Sequence, residues 1–168
     1  MSILTQKTPK IIGFSSILAT LALIFVISSQ SSCAKSNACD LKASYTNDAN
    51  TAQNTAMVAF CTTNSITYST HPSGILYQII TPGAASKPNL CETISMTYTG
   101  TLLNGTKFDA GTISYSLSQL IVGWQIAVPL IGKGGRIKVV LPSSLGYGPQ
   151  ASGPIPANSP LYFDITLN

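Results

Sequence analysis

Tyr98-Thr99-Gly100-Thr101-Leu102-Leu103-Asn104-Gly105-Thr106-Lys107-Phe108-Asp109 decides how the chain is read. Asn104-Gly105 is a dipeptide suited to the positive φ angles of a tight two-residue turn, so the run predicts a β-hairpin. On its first arm, residues 93–102, the period of two places Ile94, Met96 and Tyr98 on one face. The chain returns through Phe108 and Asp109, so Tyr98 and Phe108 approach from the two arms.

Further along lie Leu120-Ile121-Val122-Gly123-Trp124, then Leu145-Gly146-Tyr147-Gly148, then the run from Ile155 to Asp164 that contains Phe163. Together with the hairpin they bring aromatic and aliphatic side chains around very few polar ones, the composition of an apolar pocket for a small hydrophobic group. Trp124 is the only tryptophan and is expected at the pocket's floor.

The remaining segments supply a scaffold. Residues 49–61 predict a helix, capped by Asn47 or Asp48, with a narrow apolar face of Ala52, Ala56, Ala59 and Phe60. Residues 66–74 read as a loop, broken by Pro72 and Gly74, in which the lone His71 is an ordinary exposed side chain. Residues 75–80 are β-prone. Ile113, Tyr115 and Leu117 alternate with polar residues as a further strand. Residues 119–127 predict the one short helix of the domain, ended by Pro129. Gly132-Lys133-Gly134-Gly135 lacks phosphate-loop spacing and reads as a turn before a strand from Arg136 to Leu141. Residues 142–160 hold five of the ten prolines; a loop of that length in a compact domain points to function. A closing strand runs from Leu161 to Leu167. The pattern is α+β: an antiparallel β-sheet wrapped around one short α-helix, with a short N-terminal helical extension.

Charged residues are only 8% of the 168, and the mean hydropathy is +0.30. Much of that hydropathy lies in the first thirty residues. Lys7 and Lys10 precede an apolar run at residues 11–27 and a small polar stretch, the arrangement of an export signal over residues 1–32. A retained anchor is the alternative. Without this segment the balance is 7 basic against 5 acidic side chains, scattered and too weak for a nucleic-acid footprint. Residues 33–73 then comprise a polar tether and the helical extension, and residues 74–168 the main domain. With one His and no ligand spacing among the cysteines, no metal site is expected.

Five blocks occur in a consistent order: Tyr98-Thr-Gly-x-Leu through Phe108-Asp109; Leu120-Ile-x-Gly-Trp124; Gly134-Gly-Arg-x-Lys-Val-Val-Leu-Pro142; Tyr147-Gly148; and Ile155-Pro-x-Asn-Ser-x-Leu-x-Phe-Asp164. In this the chain resembles the FKBP-type peptidyl-prolyl cis/trans isomerases over roughly residues 74–168. The resemblance implies the same fold, no cofactor, and proline-containing unfolded or partly folded polypeptides as substrates; the helix at residues 49–61, far shorter than the dimerising helices of some exported relatives, is expected to pack on the domain and leave a monomer. Isomerisation of their X-Pro bonds would assist folding of exported proteins. The alternative is a non-catalytic module that binds a proline peptide or a macrolide.

Carried over position by position, Trp124 is the floor, and Tyr98, Phe108 and Phe163 are the walls. Leu120 and Ile121 line the entrance. The Ile121 backbone N–H and the Tyr147 hydroxyl bond substrate carbonyls, Asp109 orients the pocket electrostatically, and Ile155 closes the loop side. Asp109, Tyr147, Ile121 and Trp124 are thus the expected catalytic set. The chain departs from the family pattern at Ile113, where a wall phenylalanine often stands, and in the loop between Tyr147 and Ile155, which lacks an aromatic or His; both departures should widen the pocket.

Cys33 is positioned like the lipid-attachment cysteine of a bacterial lipoprotein, although Gln30 replaces the usual aliphatic residue three before it. This implies a periplasmic or outer-membrane lipoprotein of the bacterial cell envelope, held to the membrane by acyl chains. Of the other cysteines, Cys61 and Cys91 are the expected disulfide, stapling the extension to the domain; buried free thiols are the alternative.

Overall fold

The structure is a computed structural model that describes residues 50–168. The expected export signal, the tether and lipid attachment at Cys33 lie outside the described residues.

Six strands form one antiparallel sheet: β1 (Ser69–Thr70), β2 (Leu76–Thr81), β3 (Thr93–Leu102), β4 (Lys107–Ser116), β5 (Arg136–Leu141) and β6 (Leu161–Leu167), in the order β1-β2-β5-β6-β3-β4. Helix α1 (Thr51–Thr63) precedes the sheet, and α2 (Val122–Ala127) lies between β4 and β5. Alternation of side chains along the strands divides the sheet into two faces. Ile137, Val139 and Leu141 of β5, with Phe163 and Ile165 of β6, join Trp124, Ile126 and Ala127 of α2 in the main core. On the opposite face Leu76 and Val140, paired across β2 and β5, pack with Met57 and Cys61 of α1.

Helix α1 starts two residues later than the sequence suggested. Its cap is Asn50, whose side chain accepts from the Gln53 N–H at 2.8 Å, rather than Asn47 or Asp48. The buried stripe is also different: Met57 and Cys61, spaced four apart, face the sheet, while Ala52, Ala56 and Ala59 are exposed. Burial of a long thioether and a thiol removes more apolar surface from water than three methyl groups, so the helix rotates to that side.

The expected Cys61–Cys91 staple does not form. Cys61 is a free thiol with no exposure, held on the sheet-facing side of α1. Cys91, in the turn before β3, is disulfide-bonded, so its partner is not Cys61.

Two expected elements merge or divide. The hairpin return and the Ile113–Tyr115 alternation are one ten-residue strand, β4, paired with β3 from Thr93↔Ser116 to Thr101↔Lys107. The single helix expected at 119–127 is instead a 3-10 turn at Leu117–Gln119 followed by six residues of α-helix. Pro129 does not stop the chain turning; it sits in a second 3-10 turn, Val128–Leu130. Such turns tolerate a proline near their start, where no internal hydrogen bond is lost. Gly123 makes close packing of α2 possible, since a Cβ there would run into the side chain of Leu141.

Candidate functional site: an aromatic cavity beside the β3–β4 hairpin

Pairing of β3 with β4 sets Met96 opposite Ile113, Tyr98 opposite Gly111 and Gly100 opposite Asp109, so these residues share a face. Phe108 is adjacent to Asp109 and would ordinarily point to the other side. The register shifts between Gly100 and Thr101, leaving Phe108 as the extra residue of a β-bulge. A bulge re-aims one side chain, and here it lets both neighbours serve one face. Gly100 makes room for the result: a Cβ there would lie 2.7 Å from two atoms of the Phe108 ring and 2.8 Å from Phe163.

Four rings then meet edge to face. Tyr98 and Trp124 have centroids 4.9 Å apart at 75°, Trp124 and Phe163 5.1 Å apart at 86°, and Phe108 and Phe163 5.6 Å apart at 86°. These are the favoured geometries of aromatic quadrupoles, and they brace the indole from both sides. Trp124 is only 4% exposed. Its Nε1 is buried with no acceptor among the described residues, a donor left unpaired at the base of the site.

Above it opens a cavity of about 120 Å³ lined by Tyr98, Asp109, Ile113, Leu120, Ile121, Trp124, Tyr147 and Phe163. Every residue expected to be catalytic is in that lining. Phe108 is not; it supports Phe163 from behind. Ile155 is buried in the main core at 5% exposure and does not line the cavity. Ile113, noted in the sequence only as a departure, is part of the wall. A larger cleft of about 520 Å³ near Lys87 and Lys133 contains none of the aromatic side chains.

The polar groups sit at the mouth. Tyr98 Oη donates to Asp109 Oδ2 at 2.5 Å. Burial first, then this hydrogen bond and the carboxylate charge, push the Tyr98 phenol up to about 12. Burial and the same carboxylate also raise Tyr147, which remains 42% exposed with its hydroxyl available. At the start of α2 the Ile121 carbonyl accepts from Trp124 and Gln125. Its own N–H precedes the first helical turn, where amides lack intrahelical partners.

The loop carrying Tyr147 is not structureless. Ser143–Leu145 form a 3-10 turn, Gly148 N–H donates to Ser143 O at 2.8 Å, and Asn158 N–H donates to Gly148 O at 2.9 Å. Sequence reasoning missed the residue that anchors this network, Gln53 of α1. Its Oε1 accepts from Ser143 N–H at 3.0 Å, while its Nε2 donates to Ser143 Oγ at 2.9 Å and to Asn158 O at 3.3 Å. No sequence signal links positions separated by ninety residues.

With the geometry in place, comparison with known proteins is decisive for the family. The model described as FKBP-type peptidyl-prolyl cis-trans isomerase matches residues 84–168. The chain belongs to this FKBP family. The FKBP-type peptidyl-prolyl cis-trans isomerase FkpA of Aeromonas hydrophila is 41% identical over 100 residues, covering 56% of this chain and 37% of the relative. The Outer membrane protein MIP of Legionella longbeachae is 42% identical over 102 residues, covering 57% and 44%. This FKBP thus matches less than half the length of either relative. Among solved structures, the crystal structure of FkpA from Escherichia coli has a TM-score of 0.62 at 34% identity, covering 69% of this chain and 58% of that one. A peptidyl-prolyl cis-trans isomerase from Pseudomonas syringae pv. tomato has a TM-score of 0.59 at 29% identity, covering 71% and 95%.

Proposed function

We propose that this FKBP is a peptidyl-prolyl cis/trans isomerase that assists the folding of exported proteins at the bacterial cell envelope. The observation that carries the reading is the apolar cavity floored by Trp124 with the Tyr98–Asp109 pair at its mouth. Twisting an X-Pro amide breaks C–N conjugation and costs ~18–20 kcal/mol in water. The planar amide is the more polar state. An apolar cavity that takes the proline ring therefore disfavours the planar form relative to the twisted one, and no nucleophile is needed.

In this mechanism the Ile121 N–H and the Tyr147 hydroxyl hold the carbonyls flanking the bond, so that rotation is confined to one peptide unit. The Asp109 carboxylate keeps the Tyr98 hydroxyl turned to itself, which leaves the Tyr98 ring face as wall and a negative charge beside the rotating amide. Trp124 and Phe163 contact the ring of the proline. The substrates are unfolded or partly folded chains whose proline steps take tens to hundreds of seconds uncatalysed.

Location at the envelope is supported by the signal-like residues 1–32, by Cys33 as an acylation site, and by similarity to a relative named as an outer membrane protein. Mass spectrometry of the mature N-terminus would read the cleavage and any acyl chains. For the activity, NMR exchange spectroscopy of a Leu-Pro peptide with the full chain should show accelerated cis/trans exchange. Tight peptide or macrolide binding with no acceleration would make the domain a binding module instead.

A further inference from the structure

The sheet has two very unequal edges. One ends in β1, a strand of only two residues, Ser69–Thr70. The other ends in β4, ten residues long, which among the described residues pairs only with β3. Proteins protect long free edges with charges, prolines or bulges, because unpaired N–H and C=O groups template the addition of another strand. On β4 these devices are confined to the first three residues: Lys107, the bulge at Phe108, and Asp109. The following seven, Ala110-Gly111-Thr112-Ile113-Ser114-Tyr115-Ser116, carry no charge and no proline, and their pairing with β3 is regular. Five of those seven are exposed.

The unguarded stretch begins at the cavity. Asp109 and Ile113 are cavity walls. Between them Gly111 leaves the inner face open, since a Cβ at that position would meet nothing within 4 Å. Beyond them on the same face is Tyr115, a large aromatic residue 52% exposed. Seven strand residues present roughly 20 Å of free edge, enough for about six residues of an added strand.

We propose that the free edge of β4 is a docking site for the substrate polypeptide, which adds to it as an extended strand next to the proline held in the cavity. The proposal rests on the isomerase reading of that cavity and extends it. Main-chain hydrogen bonds supply affinity without regard to sequence, as suits a catalyst of many unfolded chains, and alternate side chains are selected where they meet the inner face. Every second side chain of the added strand falls on the side of Ile113 and Tyr115, so clients with large apolar residues in alternation near an X-Pro bond are favoured.

The test compares four peptides on the full chain: a short Leu-Pro tetrapeptide, the same core extended by six alternating apolar and polar residues, and two versions of the extended peptide N-methylated at odd or at even extension positions. Successive N–H groups of a strand point to opposite edges, so only one methylated register should block pairing. The extended peptide is expected to show a KM about tenfold lower than the tetrapeptide, the worth of one or two net hydrogen bonds. One methylated register should lose that gain and the other keep it. Tyr115→Ser should reduce the gain while leaving turnover of the tetrapeptide unchanged. Equal behaviour of the two registers, or no gain from extension, overturns the proposal. So does protection from hydrogen exchange, before any peptide is added, of the alternate β4 amides that point away from β3, which would show the edge already covered. If the tetrapeptide is not isomerised, the isomerase reading fails by itself; register-dependent binding of the extended peptides would still read the edge.

Discussion

Tyr98 and Asp109 reach across the β3–β4 hairpin to share a 2.5 Å hydrogen bond, phenol to carboxylate. The pair is diagonal in the ladder, Tyr98 standing opposite Gly111 and Asp109 opposite Gly100, so two glycines face the two functional side chains. That arrangement sets both the shape of the cavity mouth and its charge.

The pair has a pH signature. Burial and Asp109 hold the Tyr98 phenol at about 12, and burial with Asp164 holds Tyr162 at about 12 as well, against an ordinary value of about 10. A folded-state pKa raised above the unfolded one gives stability that is complete below about pH 10 and lost as pH rises toward about 12. Ultraviolet titration should therefore show late-ionising tyrosines in the folded chain. Asp109→Asn should bring Tyr98 down but leave it above 10, because burial is the larger cause.

Gly100→Ala should destabilise the fold through the aromatic cluster. The new methyl meets the rings of Phe108 and Phe163 inside contact distance, and overpacking of this kind costs about 1–3 kcal/mol. A thermal melt should show the loss, and near-ultraviolet circular dichroism should show the rings displaced. An unchanged melt would mean that the rings are not held where Gly100 places them.

Gln53→Ala should act at a distance. It removes the acceptor of the buried Ser143 N–H and the donor to Asn158 O, loosening both ends of the loop that carries Tyr147. An unpaired buried amide costs about 1–3 kcal/mol. At temperatures where the variant is fully folded, kcat/KM for a Leu-Pro peptide should still fall, with the Tyr98 titration unchanged. Gln53→Glu retains the acceptor and should restore part of the rate.

On the other face of the sheet, Met57→Ala should cost about 2–5 kcal/mol, the range for truncating a buried long side chain, whereas Ala56→Ser should be silent. Burial pushes the Cys61 thiol up, so it should resist alkylation in the native chain and react on unfolding without reductant. Cys91 should become alkylatable only after reduction. Peptide mapping by mass spectrometry distinguishes the two; alkylation of Cys61 that requires reductant would contradict the free thiol.

The sheet was largely legible because its signals are local. β3, β5 and β6 begin and end where alternation, glycine turns and prolines place them. The aromatic cavity was legible because ordered motifs supplied the expectation, although neither Phe108 nor Ile155 lines it. What eluded sequence reasoning depends on long-range packing. The bulge at Phe108 has no turn residue to announce it. The face that α1 buries is decided by what Leu76 and Val140 offer it, since alanines at helical spacing suit water as well as a core. The tie between Gln53 and Ser143 is visible only when both are folded.

The most direct test of the central claim is kcat/KM for cis/trans exchange of a Leu-Pro peptide, measured for the full chain and for Tyr147→Phe and Asp109→Ala. The account predicts acceleration by the native chain and a fall of about tenfold in each variant, as expected for one lost hydrogen bond to the substrate or one lost charge at the cavity mouth. Exchange no faster than in buffer, or full rates in both variants, would contradict it.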